Sequence, residues 1–358
     1  FRDEDLRADR QPEFTQIDFE MSFVDTEDVL RMAEGYIRRL FAETLGIELS
    51  GPIPRYTYAE VMERYGSDKP DTRFGSEIVD ISDCVAGCGF SVFADAVAAG
   101  GGVRALNFKS AAGRLTRKEI DRLGDYAKGC GAGGLAWARC AEQVSGSFLK
   151  FLSEEEQARV FERTGFGEGD VLLILAGPDT PRLLQQLGQL RVETANRLGI
   201  ERKGFAFLWV TEMPFFEYDA EKDEWVAMHH PFTAPLDECI PYLETDKARV
   251  RAKAYDLVLN GIELSSGSIR ITDPALQATV FRLLGLSEDE AREKFGYLLE
   301  AFRYGAPPHG GMAVRRLCEK VGNCLVFSQI TGIKLVILAL FGDQLVVAAA
   351  LDDAALLQ

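Results

Sequence analysis

The chain is short of histidine, of positive charge and of long apolar runs. Only three histidines occur, His229, His230 and His309, so histidine chemistry is confined to two places. A membrane-spanning helix needs about 18 or more consecutive apolar residues. The nearest case, 335–351, is interrupted by Gly342, Asp343 and Gln344. The start, Phe1-Arg2-Asp3-Glu4-Asp5, shows no signal-peptide pattern and lacks an initiator Met, which points to a chain that begins inside a longer protein. The seven cysteines form no CxxC pair and their number is odd. Free thiols in a reducing cytosol follow as the plain expectation. Cys84 and Cys88, four apart, also suit half of a metal site, but no histidine or second cysteine pair lies close in sequence. The formal net charge of −16 argues against general coating of nucleic acid and leaves room for a local basic face. No internal repeat or low-complexity tract is present. The expected setting is cytoplasmic, with no membrane partner.

What is present is a 47% hydrophobic chain of 358 residues, enough for a core and about two domains. Apolar residues alternate at Ile17, Phe19, Met21 and Phe23, the period of an antiparallel strand with one buried face. Thr26-Glu27-Asp28 reads as a cap for a helix over 29–45, with Val29, Leu30, Ala33, Ile37, Leu40 and Phe41 on one face and Gly46 as its stop. Between 78 and 191, capped helices alternate with strands. Thr116 with Glu119 and Ser153 with Glu156 have capping-box spacing. The run 171–177, bounded by glycines, reads as a buried strand, and 181–198 as a helix. Strand grammar returns at 205–210. Asn260-Gly261 then predicts a hairpin between 254–259 and 262–271. Ser287 with Glu290 opens a helix over 287–302.

In a two-residue hairpin loop, Leu259 pairs with Ile262 and Val258 with Glu263. Asp256 and Glu263 then share a sheet face, diagonally across the ladder. Two such carboxylates either hold a cation, magnesium with a nucleotide's phosphates being a natural occupant, or form a solvated acidic face. Ser265-Ser266-Gly267-Ser268 suits close backbone approach to a ligand, and Arg270 follows between two isoleucines. Arg2, among acids, suits either a surface ion pair or a bidentate clamp on phosphate or carboxylate. Phe14 offers a stacking face. His229 and His230, read as strand neighbours, point to opposite faces and do not easily share a metal. One of them suits contact with an anionic substrate, or lies on the surface. His309, in Pro307-Pro308-His309-Gly310-Gly311, reads as a loop residue.

Several of these segments, in order, resemble bacterial-type aspartyl-tRNA synthetases. The block 1–18 is similar to the family's class II motif 2, and 65–75 to its loop leading into an insertion. The stretch 93–190 is similar to the GAD insertion module that the family shares with one type of amidotransferase. Segments 229–235, 256–271 and 304–311 are similar to the later catalytic segments. The resemblance covers about 1–313. It implies an α+β fold: a class II antiparallel-sheet catalytic domain (1–85 and 196–313) interrupted by an α/β GAD module (86–195), with an atypical segment at 314–358. It implies that Arg2 contacts the α-phosphate and the aspartate carboxylate. Asp3, Glu4 and Gln11 would bind ATP, and Phe14 would stack on adenine. Gln16 and Asp18 would line the amino-acid pocket, with Asp18 facing the ammonium group. His229 would close over aspartate. Asp256 and Glu263 would hold Mg2+, Glu263 thereby serving the nucleotide as well. Arg270 would pair with the side-chain carboxylate and, with Arg2 and Glu4, carry catalysis.

The implied activity is an aspartate–tRNA ligase acting on L-aspartate, ATP and tRNA(Asp), from a homodimeric family. The chain departs from that family in three ways. The anticodon-binding OB-fold and motif 1 are absent before Phe1. Ser265 and Ser266 stand where glycine is common. Beyond Ala313, Cys318 falls where motif 3 has its ATP-gripping arginine, with Arg315 and Arg316 displaced. A frameshift, recombination or assembly error at this point is the expectation, which resequencing through motif 3 tests. Two further readings stay open: a synthetase-like tRNA or amino-acid binding protein without catalysis, and a class II paralogue such as an asparagine-forming enzyme. Arg270 and the insertion argue against the latter.

Overall fold

A computed structural model describes residues 16–219 and 222–315. Arg2, Asp3, Glu4, Gln11 and Phe14, and nearly all of 314–358, lie outside the described residues. The chain forms two compact units. The first takes its described residues from 16–57 and 207–315, and the second spans Tyr58–Ala206.

The first unit opens with β1 (Gln16–Ser22), α1 (Thr26–Leu45) and β2 (Arg55–Thr57). The second holds α2 (Tyr58–Tyr65), β3 (Ile78–Asp80), α3 (Ser82–Val85), α4 (Ser91–Ala98), β4 (Gly102–Phe108), α5 (Arg117–Gly129), β5 (Ala136–Cys140), β6 (Val144–Gly146), α6 (Glu154–Thr164), β7 (Val171–Gly177) and α7 (Thr180–Arg197). The first unit resumes with β8 (Phe207–Thr211), β9 (Phe216–Asp219), β10 (Glu224–Ala227), β11 (Ala254–Leu259), β12 (Ile262–Ile269), α8 (Pro274–Leu283), α9 (Glu288–Phe302) and β13 (His309–Arg315).

The first unit is built on a six-stranded sheet in the order β1-β13-β12-β11-β8-β2, antiparallel except where β2 meets β8. Helix α1 covers it with the apolar stripe expected from spacing: Val29, Leu30, Ala33, Ile37, Leu40 and Phe41 are all buried. Phe41 meets Phe207 edge to face at 5.2 Å. Asp25, not Thr26, caps the helix. Its carboxylate accepts from the Asp28 N–H, and Asp28 returns the bond. Aspartate at this position also favours the positive end of the helix. Gly46 ends the helix in the left-handed region at φ 64°.

The hairpin between β11 and β12 turns on Asn260 and Gly261, at φ 55° and 87°. Two positive φ values in a row match the twist of the flanking strands, which is why this dipeptide is favoured there. Leu259 faces Ile262 and Val258 faces Glu263, but the register then shifts: Leu257 faces Ser265 and Asp256 faces Ser266. Leu264 is the extra residue of a β-bulge.

The second unit has a five-stranded sheet, β3-β4-β7-β5-β6, antiparallel throughout. The run in β7 is apolar without alternation because both its faces are covered. Val171, Leu173 and Leu175 pack on the side of Leu123, Leu187 and Leu190. Leu172 and Ile174 pack on the side of Phe93, Phe148 and Val160. Capping boxes at Ser153 and Ser287 are complete. At Thr116 only half the box forms, because Arg122 takes the Glu119 carboxylate at 2.7 Å. Cys84 and Cys88 are buried thiols, and burial raises the pKa of each. Among the described residues no helix is long and apolar enough to cross a membrane.

Candidate active site

One face of the six-stranded sheet carries a cavity of about 180 Å³. The strand register explains its floor. Asp18, Ala313, Ser266 and Asp256 lie in one row across β1, β13, β12 and β11. Glu20, Gly311, Ser268 and Ala254 form the next row. Small residues in the middle leave space, and carboxylates stand at the sides. Gly311 has no freedom to change: a Cβ there would collide with the Phe19 carbonyl and the Glu20 side chain.

The bulge decides which residues face this cavity. In an unbroken ladder Asp256 would oppose Ser265, and Arg270 would fall on the far side of the sheet. A one-residue slip exchanges the two faces. With Leu264 bulged, Ser266, Ser268 and Arg270 come to the Asp256 side and line the cavity, while Ser265 is fully buried.

Among the described residues that line the cavity, Arg270 is the only guanidinium or ammonium. Its Nε donates to Glu20 Oε1 at 3.3 Å, and its Nη1 contacts His230 Nε2. Its backbone N–H donates to the His309 carbonyl at 3.0 Å, and Arg270 bridges Thr233. Such a fixed guanidinium suits a planar carboxylate.

The histidines are not strand neighbours. Strand β10 stops at Ala227, and both His229 and His230 reach the cavity from an irregular segment, so the opposite-face expectation fails. This segment is fixed from behind. Phe232 lies edge to face with Phe281 of α8 at 5.8 Å and Phe295 of α9 at 5.0 Å. Gln277 Nε2 donates to the Pro231 carbonyl at 2.8 Å. Burial, then the Arg270 charge, then His229 push the pKa of His230 down to about 4. His230 is therefore neutral near pH 7. His309 is the first residue of β13 rather than a loop residue, with Nδ1 2.9 Å from the Pro307 carbonyl.

Of the residues singled out from sequence, Gln16, Asp18, His229, Asp256 and Arg270 line this cavity. Glu263 faces Val258, on the Asp256 side of the ladder, but is not among the lining residues. Among the described residues no cluster of three or more His, Cys, Asp or Glu side chains is arranged to hold a metal ion. An Asp256–Glu263 pair alone still suits Mg2+, which takes one or two carboxylates and completes its shell with water and phosphate. Ser266, Gly267 and Ser268, singled out for close approach to a ligand, also line the cavity, as does His230, which the sequence left open beside His229; sequence reasoning missed Glu20 and Thr233. Glu20 was accessible, since alternation in β1 puts Gln16, Asp18 and Glu20 together opposite the apolar face.

The cavity thus lies on one face of a sheet that is antiparallel except where β2 meets β8, and the comparisons name the class such a chain belongs to. A family model described as tRNA synthetases class II (D, K and N) matches residues 1–321, and the chain belongs to this family. An aspartate–tRNA ligase of Ruminiclostridium cellulolyticum is 55% identical over 316 residues, covering 87% of this chain and 53% of that protein. An aspartate–tRNA(Asp/Asn) ligase of Geotalea uraniireducens is 52% identical over 316 residues, with the same shares covered. The chain thus spans about half the length of the curated relatives it matches. Among solved structures, an aspartyl tRNA synthetase from Entamoeba histolytica is similar over 88% of this chain and 41% of that one. Its 14% identity and TM-score of 0.36 are too loose to carry an argument.

Proposed function

We propose that this chain carries the amino-acid-activating core of an aspartate–tRNA ligase, whose substrates are L-aspartate, ATP and tRNA(Asp). The supporting observation is the cavity that three carboxylates, Asp18, Glu20 and Asp256, line together with the guanidinium of Arg270, which is paired with Glu20. That charge pattern suits a small zwitterion with one extra carboxylate. Arg270 receives the side-chain carboxylate, Asp18 attracts the ammonium group, Gln16 lines the pocket and His229 closes over it. Asparagine fits poorly because its neutral amide gives the Nη side of the Arg270 fork no carboxylate, Glu20 being held at Nε.

In the first step the α-carboxylate of aspartate attacks the α-phosphorus of ATP, giving aspartyl-adenylate and pyrophosphate. In the second, the terminal ribose hydroxyl of the tRNA attacks the activated carbonyl and releases AMP. The side chains contribute positioning and charge neutralisation, and none acts as a nucleophile. Arg2 and Glu4 complete the catalytic set, Asp3 and Gln11 bind the nucleotide, and Phe14 stacks on adenine. Asp256 and Glu263 are the carboxylates that would hold Mg2+, which neutralises phosphate charge when bound. The GAD insertion over 86–195 falls inside the unit Tyr58–Ala206, the assembly is a homodimer, and the setting is the cytoplasm.

The test is aspartate-dependent exchange of labelled pyrophosphate into ATP by the purified chain with Mg2+. Exchange above background supports the reading. A folded chain that binds ATP but makes no adenylate overturns it in favour of a non-catalytic amino-acid or tRNA binding protein, the reading that Cys318 in place of the motif 3 arginine favours.

A further inference from the structure

The surroundings of His230 set a conflict that its own chemistry has to resolve. The Phe232 backbone N–H donates to Nδ1 at 3.2 Å. Arg270 Nη1 faces Nε2. Both neighbours are donors, yet a neutral imidazole accepts at one nitrogen only and carries a proton on the other. Protonating the ring does not help, since it would then meet both donors with N–H groups. The charged and titratable groups nearby are Arg270 and Glu20 on the sheet and His229 on the same segment. Behind the segment stand Phe281, Phe295 and the Gln277 amide. The Thr233 hydroxyl, 3.5 Å from Nδ1 and 3.4 Å from Nε2, bonds on to Ser268 at 3.3 Å. The ring is thus held in place while one of its two polar contacts remains unsatisfied.

A carboxylate arriving at Arg270 removes the conflict. The guanidinium turns its Nη1–H to the anion, and Nε2 no longer has to accept. The proton then rests on Nε2, Nδ1 accepts from Phe232, and Nε2–H points to the same anion. We propose that His230 is a specificity-determining positioning residue: it holds Arg270 in the empty cavity and, by changing tautomer, becomes a second donor to the substrate's side-chain carboxylate. The inference rests on the reading of the cavity as an aspartate site. It gives the site a second reason to reject asparagine, whose amide can offer its oxygen to only one of the two donors and turns its NH2 toward the other.

Two measurements on the full chain test it. The first is calorimetric binding of L-aspartate and L-asparagine. His230→Ala should weaken aspartate binding about 10- to 100-fold, the worth of one hydrogen bond to a charged group, and leave asparagine binding nearly unchanged. His230→Gln, which can place a donor near the Nε2 position, should recover much of the loss. A folded His230→Ala chain that discriminates as well as the parent overturns the proposal. The second is ¹⁵N NMR of the imidazole. Nε2 should be the unprotonated nitrogen in the free chain and the protonated one with aspartate bound or in Arg270→Met. A tautomer unmoved by both overturns the proposal. If Arg270→Met moves it but the parent binds no aspartate, the hold of His230 on Arg270 stands and the aspartate assignment falls.

Discussion

At the residue scale, Arg270 carries the greatest chemical weight. Its Nε is paired with Glu20 at 3.3 Å and its Nη1 with His230. A lysine cannot reproduce that fork. Arg270→Lys is expected to lower kcat/KM for aspartate in pyrophosphate exchange by on the order of 100-fold, because a point charge replaces a forked, charge-assisted contact to a carboxylate. Loss confined to less than threefold would remove Arg270 from the recognition of substrate. His230 adds a pH dependence whose sign can be worked out. Folded, it takes up its proton only near pH 4, against an ordinary value of 6.5. Between those values the unfolded chain binds more protons, so folding stability is complete above about pH 6.5 and falls as the pH drops toward 4. Urea midpoints at pH 7 and pH 5 should therefore differ more for the parent than for His230→Asn. Equal differences would show that the ring titrates normally. Arg270 was legible in the sequence as a charge between two isoleucines. His230 was not, because its role depends on a bend and on helices α8 and α9, which are remote in sequence.

At the element scale, the hairpin was legible and its bulge was not. Asn260-Gly261 announces the turn because the turn demands positive φ at both positions, a local requirement. The bulge at Leu264 lies in β12 opposite β11, and no local sequence rule records it. Its consequence is large, since it brings Ser266, Ser268 and Arg270 to the side of Asp256. Deleting Leu264 should restore an unbroken ladder, turn Arg270 away and abolish aspartate binding. The deletion also removes a buried leucine worth about 1.5–3 kcal/mol. Leu264→Ala is the control, for it loses most of that burial but keeps the bulge. Calorimetry should find aspartate binding in Leu264→Ala and none in the deletion. Binding in both would show that register does not set the site.

At the scale of the whole molecule, the chain leaves the six-stranded sheet after β2 and returns to it at β8. Among the described strands these are the only parallel neighbours in that sheet. Parallel neighbours require a crossover connection of a dozen or more residues. Here the whole of Tyr58–Ala206 fills that place. The sequence showed this as a change of grammar, from alternating strands to capped helices around a continuous apolar run. The sequence reading sets the insertion at 86–195, while the compact unit is Tyr58–Ala206, because α2 packs on α7 and β3 pairs with β4, contacts between segments remote in sequence. The unit has what independent folding needs: apolar side chains packed on both faces of its sheet, and a buried Arg191 that donates to the carbonyls of Asp71, Phe74, Gly75 and Ser76. All of those partners lie inside the unit. A fragment of residues 58–206 is therefore expected to fold alone and to melt in one cooperative transition by calorimetry. The full chain should then show more than a single two-state transition. Arg191→Met in the fragment should leave four backbone carbonyls without their donor and lower its stability by several kcal/mol, at about 1–3 kcal/mol for each group left unsatisfied where water cannot reach it. A fragment that stays unfolded would mean that its core depends on the rest of the chain, and the crossover would then be part of one indivisible domain.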